Sequence, residues 1–402
     1  MQTRNLKFRL YPNQYQWKKI HNTLDVCRWV YNKMVNQTRN GFVTRNDLNY
    51  FLTELKEQEP WLYLYHSKML QMISTQIDGA QKSLIQLRKN GYAAKSLKFA
   101  RYSKYRTFTY NQSGFKIQNG FLYLSKIGKI KIIQHRQIPE NSKIKQVIIT
   151  KSKSGKWYAC ITCNIETDVP KINLSKAVGI DVGIKTFAYD SDGHRIPNQL
   201  NLKKMLKPLA RVQRKISRRK KGSNNRLKAI KHMQRIHERI KNRRKDFLHK
   251  LSTQYAKKYD RIFMERLEKL NMVKNHHLAR NILDSGWEIF SYMVAYKTTM
   301  IEVPARNTTI DCSRCGNKVP KSLAVRIHRC NVCNLVIDRD YNASINILKR
   351  GLSIFNISAK DNYLLPQELR EVTPVEISMR SLKQEEAINL FGGSSLKDSK
   401  KV

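Results

Sequence analysis

Two cysteine pairs constrain this 402-residue chain more than any other feature: Cys312-Ser313-Arg314-Cys315 and, after fourteen residues, Cys330-Asn331-Val332-Cys333. A two-residue gap lets each pair close a knuckle whose backbone N–H groups face the sulfurs. Two such knuckles complete a tetrahedral, all-thiolate site that suits zinc. Four thiolates leave no open position for water, so the ion is expected to be structural. The alternative is four independent buried thiols. Seven cysteines in all are an odd number for a disulfide framework, and the clustering points to a reducing compartment. Cys160 and Cys163 share the two-residue gap but lie in a strand pattern that turns them to opposite faces. They are expected to pack, as is Cys27 within a helical apolar stripe. His328 lies near the ribbon and is not needed as a ligand.

Charge narrows the partners. Lys and Arg number 77 against 30 Asp and Glu, a net charge of +47. Such a chain repels itself unless a polyanion neutralises it, and displaced counterions then supply affinity. No run approaches the ~20 apolar residues of a membrane-spanning helix, and Met1-Gln2-Thr3-Arg4-Asn5 opens no apolar signal region. Nucleic acid is therefore the expected partner, no membrane is expected, and the cytoplasm, on nucleoid DNA, is the expected location.

Length suggests roughly two to three domains. Leu6 to Tyr11 alternates before Pro12-Asn13, a short strand and turn. Ile20, Leu24, Cys27, Val30, Tyr31 and Met34 then recur at helical spacing. Met69, Leu70, Ile73, Ile77, Ala80, Leu84 and Leu87 do so again after Glu59-Pro60, making 15–98 a helical unit. From about 104 the period shortens: 115–117, 121–124, 130–133, 147–150 and 157–163 read as strands of a barrel or sandwich, with Ser154-Gly155 turning the last hairpin. Residues 203–250 carry 20 Lys or Arg against only Glu238 and Asp246. Leu227, Ile230, Met233, Ile236, Ile240, Phe247 and Leu251 keep an apolar stripe inside that charge, which marks a packed helix. Gly222-Ser223 separates it from an earlier helix, with Ser223 as N-cap. Residues 351–402 read as a polar, loosely ordered tail.

Three carboxylates stand out. Asp181 interrupts the apolar strand Val178–Ile184, where an unpaired charge is costly. Glu265 closes the strand Ile262-Phe263-Met264, and Asp340 follows the ribbon where a helix begins. A pair of divalent cations would compensate all three, and two such ions can drive phosphodiester hydrolysis. Pairing of each acid with one of the many Lys or Arg residues is the open alternative. Asp190, Asp192, Glu268 and Asp338 read as solvated or loop acids.

Taken in order, Gly179-Ile180-Asp181-Val182-Gly183-Ile184-Lys185, Glu265, the two Cys-x2-Cys pairs and Arg339-Asp340-Tyr341-Asn342-Ala343 resemble the TnpB (OrfB) proteins. These are transposon-encoded, RNA-guided DNA endonucleases related to type V CRISPR effectors. Phe8-Arg9-Leu10-Tyr11-Pro12, Val30-Tyr31-Asn32, Asp246-Phe247-Leu248-His249-Lys250 and Asp284-Ser285-Gly286-Trp287 extend the resemblance along nearly the whole chain.

The resemblance implies an α/β multidomain protein. Residues 173–350 would form a RuvC-type, RNase H-like nuclease domain carrying a zinc ribbon at about 308–336. Residues 1–14 and 100–172 would form a wedge-type β-barrel, and 15–99 a helical recognition lobe. Asp181, Glu265 and Asp340 become catalytic acids holding two Mg²⁺ ions, with Asp181 shared between them. Cys312, Cys315, Cys330 and Cys333 hold the zinc. A transposon-end guide RNA would fill the basic channel, lined by Arg218, Arg219, Lys220, Lys221, Arg243 and Arg244. Double-stranded DNA would be cut beside a short flanking motif. Gln71 on the 61–88 helix, and Tyr110 and Asn111 in a barrel loop, are the candidate readers of that motif. A monomer is the favoured state. Two departures stand out: Arg266-Leu267-Glu268 follows Glu265 where the family has Asp, Leu, Asn, and Asn334 replaces the glycine after the last knuckle. A cleavage-inactive, RNA-guided repressor, a strand-transferring transposase and a zinc-stabilised RNA-binding scaffold are the rival functions.

Overall fold

Alternation at the N-terminus fixes the first sheet. Leu6, Phe8 and Leu10 are buried while Lys7 and Tyr11 are exposed, the period of a strand with one face in a core. The computed structural model describes residues 2–102, 104–140, 142–165, 176–322 and 324–360. The chain divides into two compact units, Met1–Pro170 and Lys171–Val402.

The first unit runs β1 (Gln2–Tyr11), α1 (Gln14–Gln37), α2 (Arg45–Gln58), α3 (Ser67–Lys89), β2 (Thr107–Asn111), β3 (Phe115–Gln118), β4 (Phe121–Leu124), β5 (Gly128–Ile133), β6 (Lys143–Lys151) and β7 (Trp157–Ile165). Its seven strands form one sheet in the order β2-β6-β7-β1-β5-β4-β3, and every pairing is antiparallel. Ile20, Leu24 and Val30 of α1, Leu48 and Leu52 of α2 and Met69 and Ile73 of α3 share one core with Phe8, Phe108 and Ile161 of the sheet. Cys27 and Cys163 are fully buried in that core, and Cys160, three residues along β7, is only half-buried. Helix α2 goes beyond the sequence reading. Its signal was a capping box, Thr44 with Asp47, ahead of Leu48, Leu52 and Leu55 on one face.

The second unit runs β8 (Ala177–Val182), β9 (Thr186–Asp190), β10 (Arg195–Pro197), α4 (Leu206–Arg218), α5 (Asn224–Lys258), β11 (Arg261–Glu265), α6 (Lys269–Met272), α7 (His276–Ser285), α8 (Trp287–Ala295), β12 (Thr299–Val303), β13 (Ile327–Arg329), β14 (Val336–Asp338) and α9 (Arg339–Lys360). Five strands stand in the order β10-β9-β8-β11-β12. β8, β11 and β12 are mutually parallel, and β9 and β10 close the edge antiparallel. Val178, Ile180, Ile262 and Met264 pack on one face against Leu248 of α5 and Phe290 of α8. Phe263 and Val303 pack on the other against Ile347 of α9.

Glycines let α9 lie directly on the sheet. A Cβ at Gly179 would fall 2.2 Å from the Ser344 carbonyl oxygen, and one at Gly351 would fall 2.1 Å from the Phe263 ring. Both positions admit only hydrogen.

Ser223 caps α5, its hydroxyl accepting the Arg226 N–H. Ile236 and Ile240 meet Leu209 and Val212 of α4 in a small core of their own. Leu227, expected in that stripe, is 55% exposed: the buried face of α5 runs through Ala229, Ile236 and Ile240, and Leu227 lies on the opposite side of the helix from Ala229. Residues 351–360, expected in the polar tail, continue α9. The rest of the tail, 361–402, lies outside the described residues.

Candidate metal centres

Strand register brings Asp181 and Glu265 side by side. β8 and β11 are parallel with Ile180 opposite Met264, and each acid is the next residue, at the C-terminal end of its strand. Side chains alternate along a strand, so both acids share the face of Gly179 and Phe263, the one α9 covers. Asp340 stands in the first turn of α9. Tyr341 beside it meets Tyr189, the β9 partner of Asp181, with ring centroids 5.3 Å apart.

Asp181 feels the charge of both other acids. Burial pushes the Asp181 carboxyl well above the usual carboxylate range, and the charges of Glu265 and Asp340 push it further. Arg339 and the Val182 N–H pull the other way without cancelling the shift. Glu265 is also raised by burial, opposed by the Thr308 hydroxyl and by Arg350. Asp340 is held by two guanidinium groups, Arg326 and Arg339, each at 3.3 Å. Among the described residues, two of the three acids thus lack a cationic side chain in hydrogen-bonded contact, and the third shares its charge between two arginines. All three are half-buried, open enough to take an ion and dry enough to favour one.

Each acid is placed by its neighbours. Asp338 accepts the Asp340 N–H at 2.8 Å and so caps α9 at the turn that presents Asp340. Arg339 is anchored by donating to the Val325 carbonyl at 3.0 Å. The Thr308 hydroxyl donates to Glu265 Oε1.

The four cysteines meet as expected. Their sulfurs all lie within 4.8 Å of one another, and among the described residues they are the one such metal-ligating group. Cys312 and Cys333 Sγ are 3.5 Å apart, Cys315 and Cys330 3.6 Å. A tetrahedron with Zn–S of about 2.3 Å has edges of about 3.8 Å, so the cluster fits zinc. The N–H groups of Cys333 and Val332 lower the Cys330 thiol to about 6. His328 is buried with its Nδ1 2.5 Å from Lys321 Nζ, outside the sulfur group.

Other sequence-selected residues are dispersed. Gln71 is exposed on α3 and Asn111 is half-buried at the end of β2. Tyr110 is corrected on two counts. It lies in β2, not in a loop, and is 1% exposed. Its hydroxyl donates to the Ser125 carbonyl at 2.7 Å, which leaves it nothing to present. Arg218, Lys220, Lys221 and Arg243 are exposed and Arg219 is half-buried. Arg244 is corrected: it turns inward to Asp284 at 2.5 Å. Asp190, read as a solvated acid, is 2% exposed. It accepts the His194 N–H at 2.8 Å, the Asp192 N–H at 3.1 Å and the Tyr255 hydroxyl at 3.0 Å. The hairpin Asp190-Ser191-Asp192-Gly193-His194, with Gly193 at φ 89°, carried that signal.

The OrfB family model of IS605 type, described as a probable transposase, matches residues 160–276. A Cas12f1-like TNB domain model matches 287–347, and the family's helix-turn-helix model matches 1–42, where the structure has β1 and α1. A Streptomyces pristinaespiralis protein named "Putative RNA-guided DNA endonuclease" is 32% identical over 370 residues, 87% of this chain and 90% of its own length. The Escherichia coli K12 protein InsQ, of the same description, is 29% identical over 379 residues, 87% and 92%. Among solved structures, a Cas12f1–sgRNA–target DNA complex aligns with a TM-score of 0.33 at 15% identity, covering 87% of this chain and 100% of that one. Identity of 32% to the Streptomyces protein over 87% of this chain, together with the family matches along it, makes this protein a member of the TnpB (OrfB) family.

Proposed function

We propose that this chain is a guide-RNA-bound, Mg²⁺-dependent endonuclease that cuts double-stranded DNA beside a short flanking motif. The observation that carries the reading is the placement of Asp181 and Glu265 at the ends of adjacent parallel strands, on the sheet face that α9 covers, with Asp340 in the first turn of that helix acting on the Asp181 charge. The strand order, three antiparallel strands followed by two parallel ones, supports reading this sheet as an RNase H-like, RuvC-type nuclease sheet. The names of the full-length relatives support RNA guidance and DNA cleavage.

On this reading Asp181, Glu265 and Asp340 hold the divalent cations, with Asp181 central. Bound there, the ions supply Lewis-acid charge and activate water for attack on phosphorus. The chain's own groups prepare the site. Burial and the like charges of Glu265 and Asp340 raise the Asp181 carboxyl, a cost that a bound cation would offset. Thr308 orients the Glu265 carboxylate. Arg326 and Arg339 keep Asp340 aligned.

Residues 1–14 with 100–172 serve as the wedge barrel and 15–99 as the recognition lobe, with Gln71 and Asn111 toward the flanking motif. The exposed Arg218, Lys220, Lys221 and Arg243 take the RNA or DNA backbone. Zinc on the four cysteines is structural.

Asp181→Ala in the purified ribonucleoprotein tests the assignment: cleavage is lost and target binding stays. Unchanged cleavage ends it. The double arginine contact on Asp340 favours the second reading, a cleavage-inactive RNA-guided repressor. Plasmid cleavage with Mg²⁺ against EDTA separates the two.

A further inference from the structure

One face of α9 does not pack on the sheet. Asn342, Asn346 and Arg350 follow one another at four-residue intervals and so line a single helix face. Asn342 is 0% and Asn346 7% exposed, an unusual place for carboxamides without an apolar role. Both are spent on the segment between β12 and the first cysteine knuckle.

The bonds form a chain. Asn346 Nδ2 donates to the Thr308 carbonyl at 2.9 Å and to the Asp311 carbonyl at 2.7 Å. A carboxamide nitrogen has two hydrogens, one for each. Asn342 Nδ2 donates to the same Asp311 carbonyl at 2.8 Å, filling its second lone pair. The other end of that side chain, Asn342 Oδ1, accepts the Ser313 N–H at 2.9 Å. Ser313 lies inside the Cys312–Cys315 knuckle. Arg350 closes the segment by donating to the Pro304 carbonyl at 3.1 Å and to Asp311 Oδ2 at 2.7 Å. At the far end, the buried Thr308 hydroxyl donates to Glu265.

We propose that Asn342 and Asn346 are positioning residues that tie the cysteine knuckle to Glu265, so that metal in the knuckle sets the Glu265 carboxylate through Thr308. The proposal rests on the reading of Asp181, Glu265 and Asp340 as cation-binding acids. Buried networks of this kind are costly to leave half-made, so the segment has one favoured arrangement. Holding Cys312 fixes Asp311 and Ser313 on either side of it. Those two are the groups the carboxamides grip, and one amide spans from Asp311 to Thr308. Releasing Cys312 loosens the grip at one end and the Glu265 contact at the other.

The test measures Mn²⁺ binding to the full-length ribonucleoprotein, taken as the difference from Asp181→Ala, which removes binding by RNA. Backbone hydrogen exchange across 304–313 is read in parallel. Stripping zinc from the unmodified chain is expected to raise exchange there and weaken Mn²⁺ binding roughly 10- to 100-fold, the range for residues supporting a metal ligand. Asn346→Ala and Thr308→Val are expected to weaken Mn²⁺ binding while zinc stays bound. Thr308→Ser, which keeps the hydroxyl, restores it. Zinc removal on top of Asn346→Ala adds little, because both act on one chain of contacts. Mn²⁺ binding that ignores zinc, or fully additive losses, overturns the coupling and leaves the nuclease reading intact. No Mn²⁺ difference between the unmodified chain and Asp181→Ala overturns both.

Discussion

Arg244 Nη2 lies 2.5 Å from Asp284 Oδ1, with the two side chains 14% and 8% exposed. The most basic stretch of the chain therefore spends one of its cations inside the protein. The other Asp284 oxygen accepts the Leu202 N–H at 2.9 Å, so the pair joins α5, α7 and the start of the α4 hairpin. Gly286 makes room: a Cβ there would fall 3.1 Å from the Arg244 side chain.

Removing one partner strands the other charge. Arg244→Ala is expected to destabilise the protein by about 3–5 kcal/mol, the usual cost of breaking a buried pair. Arg243→Ala, on the exposed face, is expected to stay within about 0.5 kcal/mol and to lower the salt slope of RNA binding by about one. Thermal unfolding and salt-titrated binding of both variants check this. Equal effects on stability would contradict the inward placement of Arg244.

Asp181 is expected to cost stability. Its carboxyl is raised by burial first and by Glu265 and Asp340 next, so the folded chain keeps a proton that the unfolded chain releases near pH 4. Between that pH and the raised folded value, folding takes up a proton, and stability without added Mg²⁺ falls as pH rises. Asp181→Asn removes the effect. It should flatten the pH curve and gain about 0.5–2 kcal/mol at neutral pH, while added Mg²⁺ protects only the unmodified chain. Melting curves against pH, with zinc retained, decide. A variant less stable at neutral pH refutes the account.

Gly179→Ala forces a Cβ to within 2.2 Å of the Ser344 carbonyl and 2.5 Å of the Leu348 nitrogen. Both atoms belong to helix backbone and cannot swing aside. A loss of about 1–3 kcal/mol is expected from overpacking. Cleavage should fall further than stability explains, because α9 carries Asp340 and must lift from the sheet. Comparing residual cleavage well below the melting temperature with that of a destabilised distal variant separates the two effects.

Tyr255→Phe tests the buried acid that sequence reading placed in solvent. The tyrosine hydroxyl donates to Asp190 Oδ2 at 3.0 Å within a buried site. Without it the carboxylate keeps its His194 and backbone donors, and a cost of about 1–3 kcal/mol is expected for the lost partner. Urea unfolding measures it. An unchanged midpoint with unchanged slope would show that the hydroxyl contributes nothing.

Local chemistry was legible in the linear chain. The cysteine spacing specified a four-sulfur cluster, because a two-residue gap closes a knuckle whatever surrounds it. The apolar periods of 20–34 and 69–77 specified α1 and α3, and the alternation at 6–10 specified β1. An acid inside an apolar strand marked Asp181, since such a charge needs compensation.

Tertiary structure alone decided the rest. Whether a given arginine of the 203–250 run meets solvent or Asp284 depends on α7, some forty residues away, and no local pattern carries that. Tyr110 reads as an ordinary turn-flanking residue until β6 pairs beside it and closes the core over the ring. Asp190 reads as a loop acid until α5 brings Tyr255 to it. The chain named three carboxylates, but strand register set Asp181 beside Glu265, and the seat of α9 on Gly179 and Gly351 brought the charge of Asp340 to bear on Asp181. Periodicity and spacing are properties of a few consecutive residues; convergence is a property of how distant elements pack.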